Sequence, residues 1–312
     1  MDIIKSLMIK GTDDIRYAFV NGVIRAKEAR LLKKGHFDRL AEADLSSFRT
    51  ILADSDYGAE LNFLEMLERI ENEERNFFNK YCLHIEVKRA IDWPEAIHNL
   101  KVKLKNGPER LLYPVSTREV ESWDEIKMAI ATYIEDKDNF AFSTSLDRIL
   151  CKKLYENAGF SEFFLRFYEL YFDLENIRSF FRVRQFDDPI ETFNKVFINY
   201  GTILKEKFLE ILNKDKEAII RSFRNTPYES LIERAVKSFE EELSFVKLER
   251  IIEEKRLVFL KQARMYAFGV EPLFGYLHFK RAEIRCLRQV YTGRLRNLPV
   301  SYIKESIPDV WE

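Results

Sequence analysis

Apolar residues recur at helical spacing along most of the chain, and residues 280–299 show the pattern most clearly. There, apolar side chains fall on one side of a helix, and arginines form a stripe on another part of its surface. The apolar residues are Ile284, Leu287 and Tyr291, and the arginines are Arg281, Arg285 and Arg288. The pattern predicts a helix that buries one face and offers charge on another.

The core of this stretch recurs three times upstream. Glu283-Ile284-Arg285 corresponds to Asn176-Ile177-Arg178 and to Asn99-Leu100-Lys101. A fainter copy is Ile24-Arg25, where Val23 occupies the polar position and Asn21 lies three positions before the isoleucine. A unit that recurs in this way predicts repeated helical subdomains. We predict that the cations of these helices contact a partner or form ion pairs, namely Arg25, Lys101, Arg178, Arg285 and Arg288.

A second element repeats together with the first. In residues 48–61 and again in residues 221–232, a short helix is expected to end, a Ser or Thr caps the next helix, and a Tyr follows in its first turn. The two elements together predict three similar subdomains, which the fourth cationic helix closes. Their approximate bounds are residues 1–95, 96–172 and 173–312.

The remaining pattern predicts an almost wholly helical chain. Long helices are expected over residues 12–32, 57–84 and 226–267. Asp92-Trp93-Pro94-Glu95 predicts a helix start, because Asp is a good cap and Pro is tolerated in a first turn. Glycine and prolines mark residues 106–120 as a loop, in which we expect any extended pair to lie around residues 111–113.

Composition is that of a helical protein with a charged surface. The 312 residues include only 10 Gly and 8 Pro, so turns are few. Charged residues make up 33%, yet the formal net charge is −1, which gives no global attraction to nucleic acid or to an anionic membrane. Three cysteines without close spacing fit free thiols in a reducing compartment. We expect neither a secretory signal nor a membrane span.

The sequence lacks the familiar catalytic motifs. It contains no phosphate-binding loop of the Walker type, no dinucleotide-binding glycine pattern, no H-E-x-x-H, no C-x-x-C and no G-x-S-x-G. Its four histidines, His36, His84, His98 and His278, include no pair at i, i+4 that would present a metal. We therefore expect no catalytic, cofactor-binding or metal-ligating residue, and a protein that is not an enzyme.

Basic residues near the C-terminus leave an alternative open. Across residues 280–305, seven lysines and arginines accompany only Glu283 and Glu305, and such a cluster can follow a phosphate backbone. No aromatic stacking platform or helix-turn-helix signature accompanies it, so we expect no nucleic acid as partner. The alternative is a soluble helical scaffold that binds a protein or nucleic acid through this helix.

Taken in order, these segments resemble the C-type member of the V/A-type rotary ATPases, the counterpart of the eukaryotic d-type protein. The matching stretches are VNGVIRAKEARLL with the later LADSDYGAEL, then DLENIRSFFRVR, then GVEPLFGYLHFKRAEIRCLRQVYTGRL followed by LPVSYIKESI. The resemblance runs from about residue 17 to residue 307. It departs from the family pattern at Val23, at Pro94 and in residues 106–120.

The resemblance implies an all-α funnel of three similar subdomains with pseudo-threefold symmetry. It also implies a non-catalytic protein of the central stalk, cytoplasmic and peripheral on a membrane complex. Such a protein couples the rotor shaft, made of D-type and F-type subunits, to the proteolipid ring during ATP-linked proton or sodium transport. It needs no cofactor, and it meets the membrane only through the ring.

Overall fold

The computed structural model describes residues 9–58, 62–241 and 245–311. Helix accounts for 73% of it, and these described residues contain no β-strand. The predicted all-α fold class is therefore confirmed. No extended pair forms around residues 111–113. After Pro108 the chain closes a 3-10 turn at Glu109–Leu111, in which the Leu112 N–H bonds to the Glu109 carbonyl at 2.9 Å.

The α-helices of the described residues are numbered in chain order. The first four are α1 (Ala18–Glu28), α2 (Lys34–Glu42), α3 (Phe48–Ile51) and α4 (Phe63–Tyr81). The next seven are α5 (Ile85–Leu104), α6 (Arg118–Glu121), α7 (Asp124–Asp136), α8 (Asn139–Ala158), α9 (Glu162–Val183), α10 (Pro189–Val196) and α11 (Lys205–Ile211). The last five are α12 (Lys216–Ser222), α13 (Glu229–Val236), α14 (Phe245–Lys261), α15 (Glu271–Leu295) and α16 (Val300–Glu305). Short 3-10 helices lie at Ile15–Tyr17, Leu45–Ser47, Glu109–Leu111 and Gln262–Met265, and a π-helical turn lies at Lys237–Glu241.

Close contacts divide the described residues into two compact units. Unit one comprises residues 9–10 and Leu83–Asn213, and therefore holds α5 to α11. Unit two comprises the described parts of Gly11–Cys82 and Lys214–Glu312, and therefore holds α1 to α4 and α12 to α16. The division into three subdomains, like their threefold symmetry, stays a prediction.

Unit one is built around α9, because this helix is apolar around most of its circumference. It buries Phe167, Phe172 and Phe180 and packs against α8 and α10. Near its C-terminal end, the Phe180 ring lies 6.4 Å from the ring of Phe193 and 5.7 Å from that of Phe208, between centroids. A helix that is apolar on all sides is stable only inside a core, so the third repeat lies at the centre of this unit.

The predicted helix start at Asp92-Trp93-Pro94-Glu95 is wrong, since α5 begins at Ile85 and contains Pro94 in its interior. Proline has no N–H, so the carbonyl of Ala90, four residues earlier, loses its helical partner. The hydroxyl of Tyr168 on α9 donates a hydrogen bond to this carbonyl at 3.4 Å. A side chain distant in sequence therefore satisfies the group that the proline leaves free, and the helix continues.

Unit two is built around α15, which runs for 25 residues. It packs against α1, α2, α4, α14 and α16. Trp311 extends this core, because its ring lies 5.3 Å from the ring of Phe37 on α2 and 6.1 Å from that of Phe279 on α15. The N-terminal helices and the C-terminal segment therefore share one core.

The helix predicted over residues 226–267 is wrong as a single element. The α-helix α13 ends at Val236, and a π-helical turn follows. There the hydroxyl of Ser238 donates to the carbonyl of Arg234 at 2.8 Å. A hydroxyl that binds the carbonyl four residues earlier bends a helix. Residues 242–244 lie outside the described residues, and α14 begins at Phe245.

Two other long helices begin or end inside their predicted bounds. The one predicted over residues 57–84 becomes α4, which begins after Asn62, whose side-chain oxygen accepts the Glu65 N–H at 3.3 Å. The one predicted over residues 12–32 becomes the 3-10 turn Ile15–Tyr17 followed by α1. In both cases the apolar periodicity located the helix, and for α4 the Asn62 cap sets its start.

Two Gly-Thr turns bind buried carboxylates, one in each unit. In unit one, the Thr202 N–H and hydroxyl donate to Asp173 at 3.0 and 2.6 Å. In unit two, the same groups of Thr12 donate to Glu271 at 2.6 and 2.9 Å. Both carboxylate residues are fully buried. A buried carboxylate needs several donors, and these turns supply them.

Gly201 is required beside Asp173, which generates a stability prediction. A Cβ atom at position 201 would lie 2.1 Å from an Asp173 oxygen, whereas a Cβ at Gly22 on α1 meets nothing within 4 Å. We expect Gly201→Ala to lower the free energy of unfolding by about 1–3 kcal/mol through overpacking. The control, Gly22→Ala, should raise it by about 0.5–1 kcal/mol because alanine favours helix. Urea titrations of the two variants check this, and equal midpoints would contradict it.

Candidate functional site

Each repeated helix carries a buried polar side chain at one matching position, and each side chain holds a nearby backbone segment. Asn99 on α5 and Asn176 on α9 belong to unit one. Asn21 on α1 and Glu283 on α15 belong to unit two. All four are almost completely buried, so their polar atoms need partners within the protein.

Asn99 and Asn176 bind the backbone in the same way. The Asn176 amide donates to the Ile198 carbonyl at 2.8 Å and accepts the N–H of the same residue at 2.9 Å. The Asn99 amide donates to the Tyr113 carbonyl at 2.9 Å and accepts the Tyr113 N–H at 2.8 Å. It also donates to the carbonyl of Val115 at 3.2 Å. In each case one side chain satisfies both backbone groups of a loop residue.

Asn21 repeats part of this arrangement and corrects the register of the first copy. Its amide donates to the carbonyls of Ala267 and Gly269, both at 3.1 Å, two residues apart like the carbonyls that Asn99 binds. Asn21 therefore corresponds to Asn99, and Val23 corresponds to Lys101. The predicted correspondence between Arg25 and Lys101 is not the one that these hydrogen bonds define, because Arg25 lies two positions further along its helix.

Glu283 replaces the asparagine in the fourth copy and accepts hydrogen bonds only. It accepts the N–H of Leu32, the hydroxyl of Tyr57 at 2.5 Å and the ammonium of Lys280 at 2.7 Å. Lys280 exposes 1% of its side chain and also lies 3.2 Å from Asp56. Burial, and then the charge of Glu283, raises the pKa of Tyr57 well above its ordinary value. The tyrosine therefore stays protonated and donates.

The predicted site cations each bond to a carboxylate of their own unit, and they do not form one cluster. The pairs are Arg25–Glu28 at 2.8 Å, Lys101–Asp147 at 2.5 Å, Arg178–Glu175, Arg285–Glu253 at 2.5 Å and Arg288–Glu71 at 2.8 Å. Lys101 and Arg178 lie in unit one and the other three in unit two. Arg25 also donates to the carbonyls of Arg264 and Tyr266, at 2.5 and 3.2 Å.

Arg285 belongs to a cationic environment between α14 and α15. Burial by itself raises the pKa of the Glu253 carboxyl, but the charges of Arg256 and Arg285 and their hydrogen bonds outweigh it, so the pKa is lowered. His278 lies nearby, half-buried, and its ring centroid is 4.4 Å from that of Phe274. Burial, and then the charges of neighbouring arginines, lowers the pKa of His278 well below its ordinary value.

Several buried polar pairs were not visible in the sequence. The pairing of Tyr57 with Glu283 and of Thr12 with Glu271 joins residues more than 200 positions apart. The Gly-Thr pair that recurs in the sequence could have pointed to Thr12. Nothing in the local sequence identifies Glu271 as its partner. Among the described residues, no three His, Cys, Asp or Glu side chains are placed to hold a metal ion. No described helix is long and apolar enough to cross a membrane.

Comparison with known proteins places this helical chain among subunits of ATP-linked complexes. A model of the ATP synthase (C/AC39) subunit family matches residues 110–306. Because this range is more than half of the 312 residues, the chain belongs to that family. The resemblance to the C-type member of the V/A-type ATPases, drawn from the repeated segments, is confirmed.

Similar proteins cover nearly the whole chain. The C-type member of the V-type sodium ATPase of Enterococcus hirae is 22% identical over an alignment that covers 96% of this chain and all of the relative. The C-type member of the A-type ATP synthase of Pyrococcus abyssi is 24% identical over an alignment that covers 88% of this chain and 85% of the relative. That of Methanocaldococcus jannaschii is 22% identical, covering 92% and 85%.

The asparagine contacts generate a prediction for unit one. Asn176→Leu removes the partners of the Ile198 N–H and carbonyl, and each unsatisfied buried group costs about 1–3 kcal/mol. We expect the free energy of unfolding to fall by about 2–4 kcal/mol. Asn213→Leu, at an exposed position of the same unit, is the control and should change it little. Thermal and urea unfolding followed by circular dichroism measure both, and equal losses in the two variants would contradict the assignment.

The lowered pKa of His278 leads to a prediction for the pH dependence of stability in unit two. Because the pKa of His278 is lowered in the folded chain, the unfolded chain alone takes up its proton below about pH 6.5. Stability should therefore fall as the pH drops below that value, by up to about 1.4 kcal/mol per pH unit. His278→Gln should weaken this dependence.

Trp311 offers a local signal for this measurement, because it lies in the core of unit two. Urea titrations at pH 7.0 and 5.5 would follow its fluorescence in a Trp93→Phe, Trp123→Phe background. The same fall in stability with and without His278 would show that this histidine does not cause the pH dependence.

Proposed function

We propose that this chain is a non-catalytic part of the central stalk in a V/A-type ATPase or ATP synthase. In this proposal it couples the rotor shaft, of D-type and F-type subunits, to the proteolipid ring on the cytoplasmic face of the membrane. One observation carries the proposal, namely that relatives named as the C-type member of such complexes align with at least 88% of this chain. Its body would form the funnel of three subdomains.

The internal contacts suit a part that transmits torque. Such a part must resist deformation, and in each unit side chains bind loops to the central helices while ion pairs join neighbouring helices. The proposed function needs no reactive group, and torque would pass through many contacts of matching shape. Energy would come from catalysis elsewhere in the complex.

Ion pairing between helices favours a bracing role for Lys101, Arg285 and Arg288 over direct contact with the shaft. Arg288 and Glu71 pair α15 with α4 at 2.8 Å. Lys101 and Asp147 pair α5 with α8 at 2.5 Å. Half-exposed pairs of this kind each contribute up to about 1 kcal/mol. A set of them stiffens the body without a specific binding surface.

Binding to purified partners tests the proposed function. We expect the chain to bind the rotor-shaft complex of D-type and F-type subunits, and to bind the isolated proteolipid ring, in pull-down experiments with each alone. The ring–chain–shaft assembly should also form when all three are mixed. Absence of binding to both partners would overturn the proposal. Binding to nucleic acid or to another protein instead would favour the scaffold alternative.

A charge swap tests the bracing role separately. Arg288→Glu should lower stability by up to about 1 kcal/mol, and adding Glu71→Arg should restore it because the pair is re-formed with opposite charges. Shaft affinity, measured on the same proteins, should stay unchanged throughout. The Lys101→Glu, Asp147→Lys pair is the matched test in unit one. If the swap restores stability but shaft affinity is lost in both single and double variants, Arg288 contacts the shaft instead.

A further inference from the structure

An exposed apolar face lies on the surface of unit two, on helix α1 and the 3-10 turn that precedes it. The α1 face comprises Ile15 in that turn and Ala18, Phe19, Gly22 and Ala26 on α1, which follow the spacing of one side of a helix. Ile15 and Phe19 expose 70% and 71% of their surface. Large apolar residues that cluster in this way on a regular element mark an interaction surface.

The matching positions of the two repeats in unit one are buried, and this makes the exposure of the α1 face unusual. With Asn21 aligned to Asn99 and Asn176, Phe19 corresponds to Ile97 and Leu174, which are both buried at 1% exposure. In unit one, α8 packs against both α5 and α9, so these two repeats lie against another helix of the same chain. Helix α1 has the same apolar pattern on this face, but it remains exposed.

The small residues of the α1 face allow another helix to approach closely. Ala18, Gly22 and Ala26 recur every four residues, and a Cβ added at Gly22 would meet nothing within 4 Å. Small residues on a contact stripe bring helix axes closer together. Larger aromatic side chains lie close to this stripe. On α4, Tyr81 lies 6.3 Å from Phe19 between ring centroids. Phe268, 40% exposed, belongs to the segment that Asn21 binds.

The side chains around the α1 face present mainly positive charge to solvent. The side chains of Arg16, Arg25, Lys27 and Arg264 are 65%, 37%, 29% and 38% exposed, respectively. Their carboxylate partners Asp14, Glu28 and Glu74 are only 14%, 11% and 8% exposed. Lys80 adds a further cation over the Tyr81 ring. Asp13 is an exposed carboxylate at one end. A ligand therefore meets mainly positive charge, which favours an acidic partner.

We propose that the α1 face binds an amphipathic α-helix of a partner chain, with an apolar seam flanked by Glu or Asp. The apolar residues of the partner helix would lie over Gly22 and Ala26 beside Phe19 and Tyr81, as in other helix-in-groove complexes. The flanking carboxylates would pair with Arg16, Arg25 and Lys80. The inference concerns the chemistry of the occupant and does not depend on the central-stalk assignment.

A designed peptide tests the proposal on the full chain. The probe is a labelled helix of about 21 residues, long enough to be helical in water, with Leu and Ala at the seam and Glu on both flanks. Fluorescence anisotropy measures its binding. A second peptide has the same seam with Lys flanks. We expect the acidic peptide to bind, and the basic one to bind at least about tenfold more weakly. No binding of the acidic peptide, or equal binding of the two, would overturn the proposal.

Substitutions in the chain test whether the peptide binds at the α1 face. Gly22→Leu puts a large side chain into the row of small residues. It should weaken binding at least about tenfold, because the helix axes can no longer approach closely. Lys80→Glu should weaken it several-fold. Met128→Ala, at an exposed apolar position of unit one, is the control and should leave binding unchanged. Melting curves show that each variant is folded. Binding that Gly22→Leu leaves intact would overturn the proposal.

Two other occupants give different outcomes. Sedimentation equilibrium that shows a dimer dissociated by Gly22→Leu would assign the face to a second copy of the chain. Binding to phosphatidylserine vesicles that Phe19→Ser abolishes would assign it to a membrane surface. Either result would replace the partner helix.

Discussion

The fold depends on one buried polar side chain in each repeated helix, which supplies hydrogen bonds to a loop. The described residues contain no β-ladder, so a loop that crosses a buried helix surface has few backbone partners. A backbone N–H or carbonyl left unpaired there would cost about 1–3 kcal/mol. Asn99 and Asn176 meet this need with an amide that donates and accepts at once. Apolar residues at the same positions would pack equally well but would leave the loop unsatisfied.

In unit two the same device joins the two ends of the chain. Asn21 on α1 binds the carbonyls of Ala267 and Gly269, which directly precede α15. In return, Glu283 on α15 accepts the N–H of Leu32, a few residues after α1. Helix α1 therefore holds the segment before α15, and α15 holds the segment after α1. Neither end can leave the core without exposing buried polar groups, which explains how distant segments form one compact body.

Periodicity located most helices correctly, because the apolar stripe is a local property of the sequence. The sequence alone also shows the matching polar position of the repeats at Asn99, Asn176 and Glu283. The sequence aligns the first copy on Ile24, and only the hydrogen bonds of Asn21 define its register. Local preference predicts a helix start at Pro94, because proline is tolerated in a first turn. Its position inside α5 depends on Tyr168, which the sequence gives no means of pairing with Ala90.

The predicted site cations illustrate the same limit. Sequence spacing identified a repeated positive charge but not its partner, because Glu253 and Glu71 lie on neighbouring helices far away in the chain. The repeated charge leaves two roles open, contact with a partner and ion pairing, and the ion pairs of Arg285 and Arg288 favour an internal brace. The exposed α1 face was missed for the opposite reason. Its apolar stripe resembled an ordinary buried face, and only the structure shows that it stays uncovered.

Native-state amide hydrogen exchange tests most directly whether the buried asparagines hold the loops. The N–H groups of Tyr113 and Ile198 lie in loops, yet Asn99 and Asn176 accept hydrogen bonds from them inside unit one. We expect both to exchange as slowly as the N–H groups of central residues in α9, and to lose that protection together when urea unfolds the unit. Rapid exchange of either N–H, at the rate of exposed loop residues, would contradict this role of the asparagines.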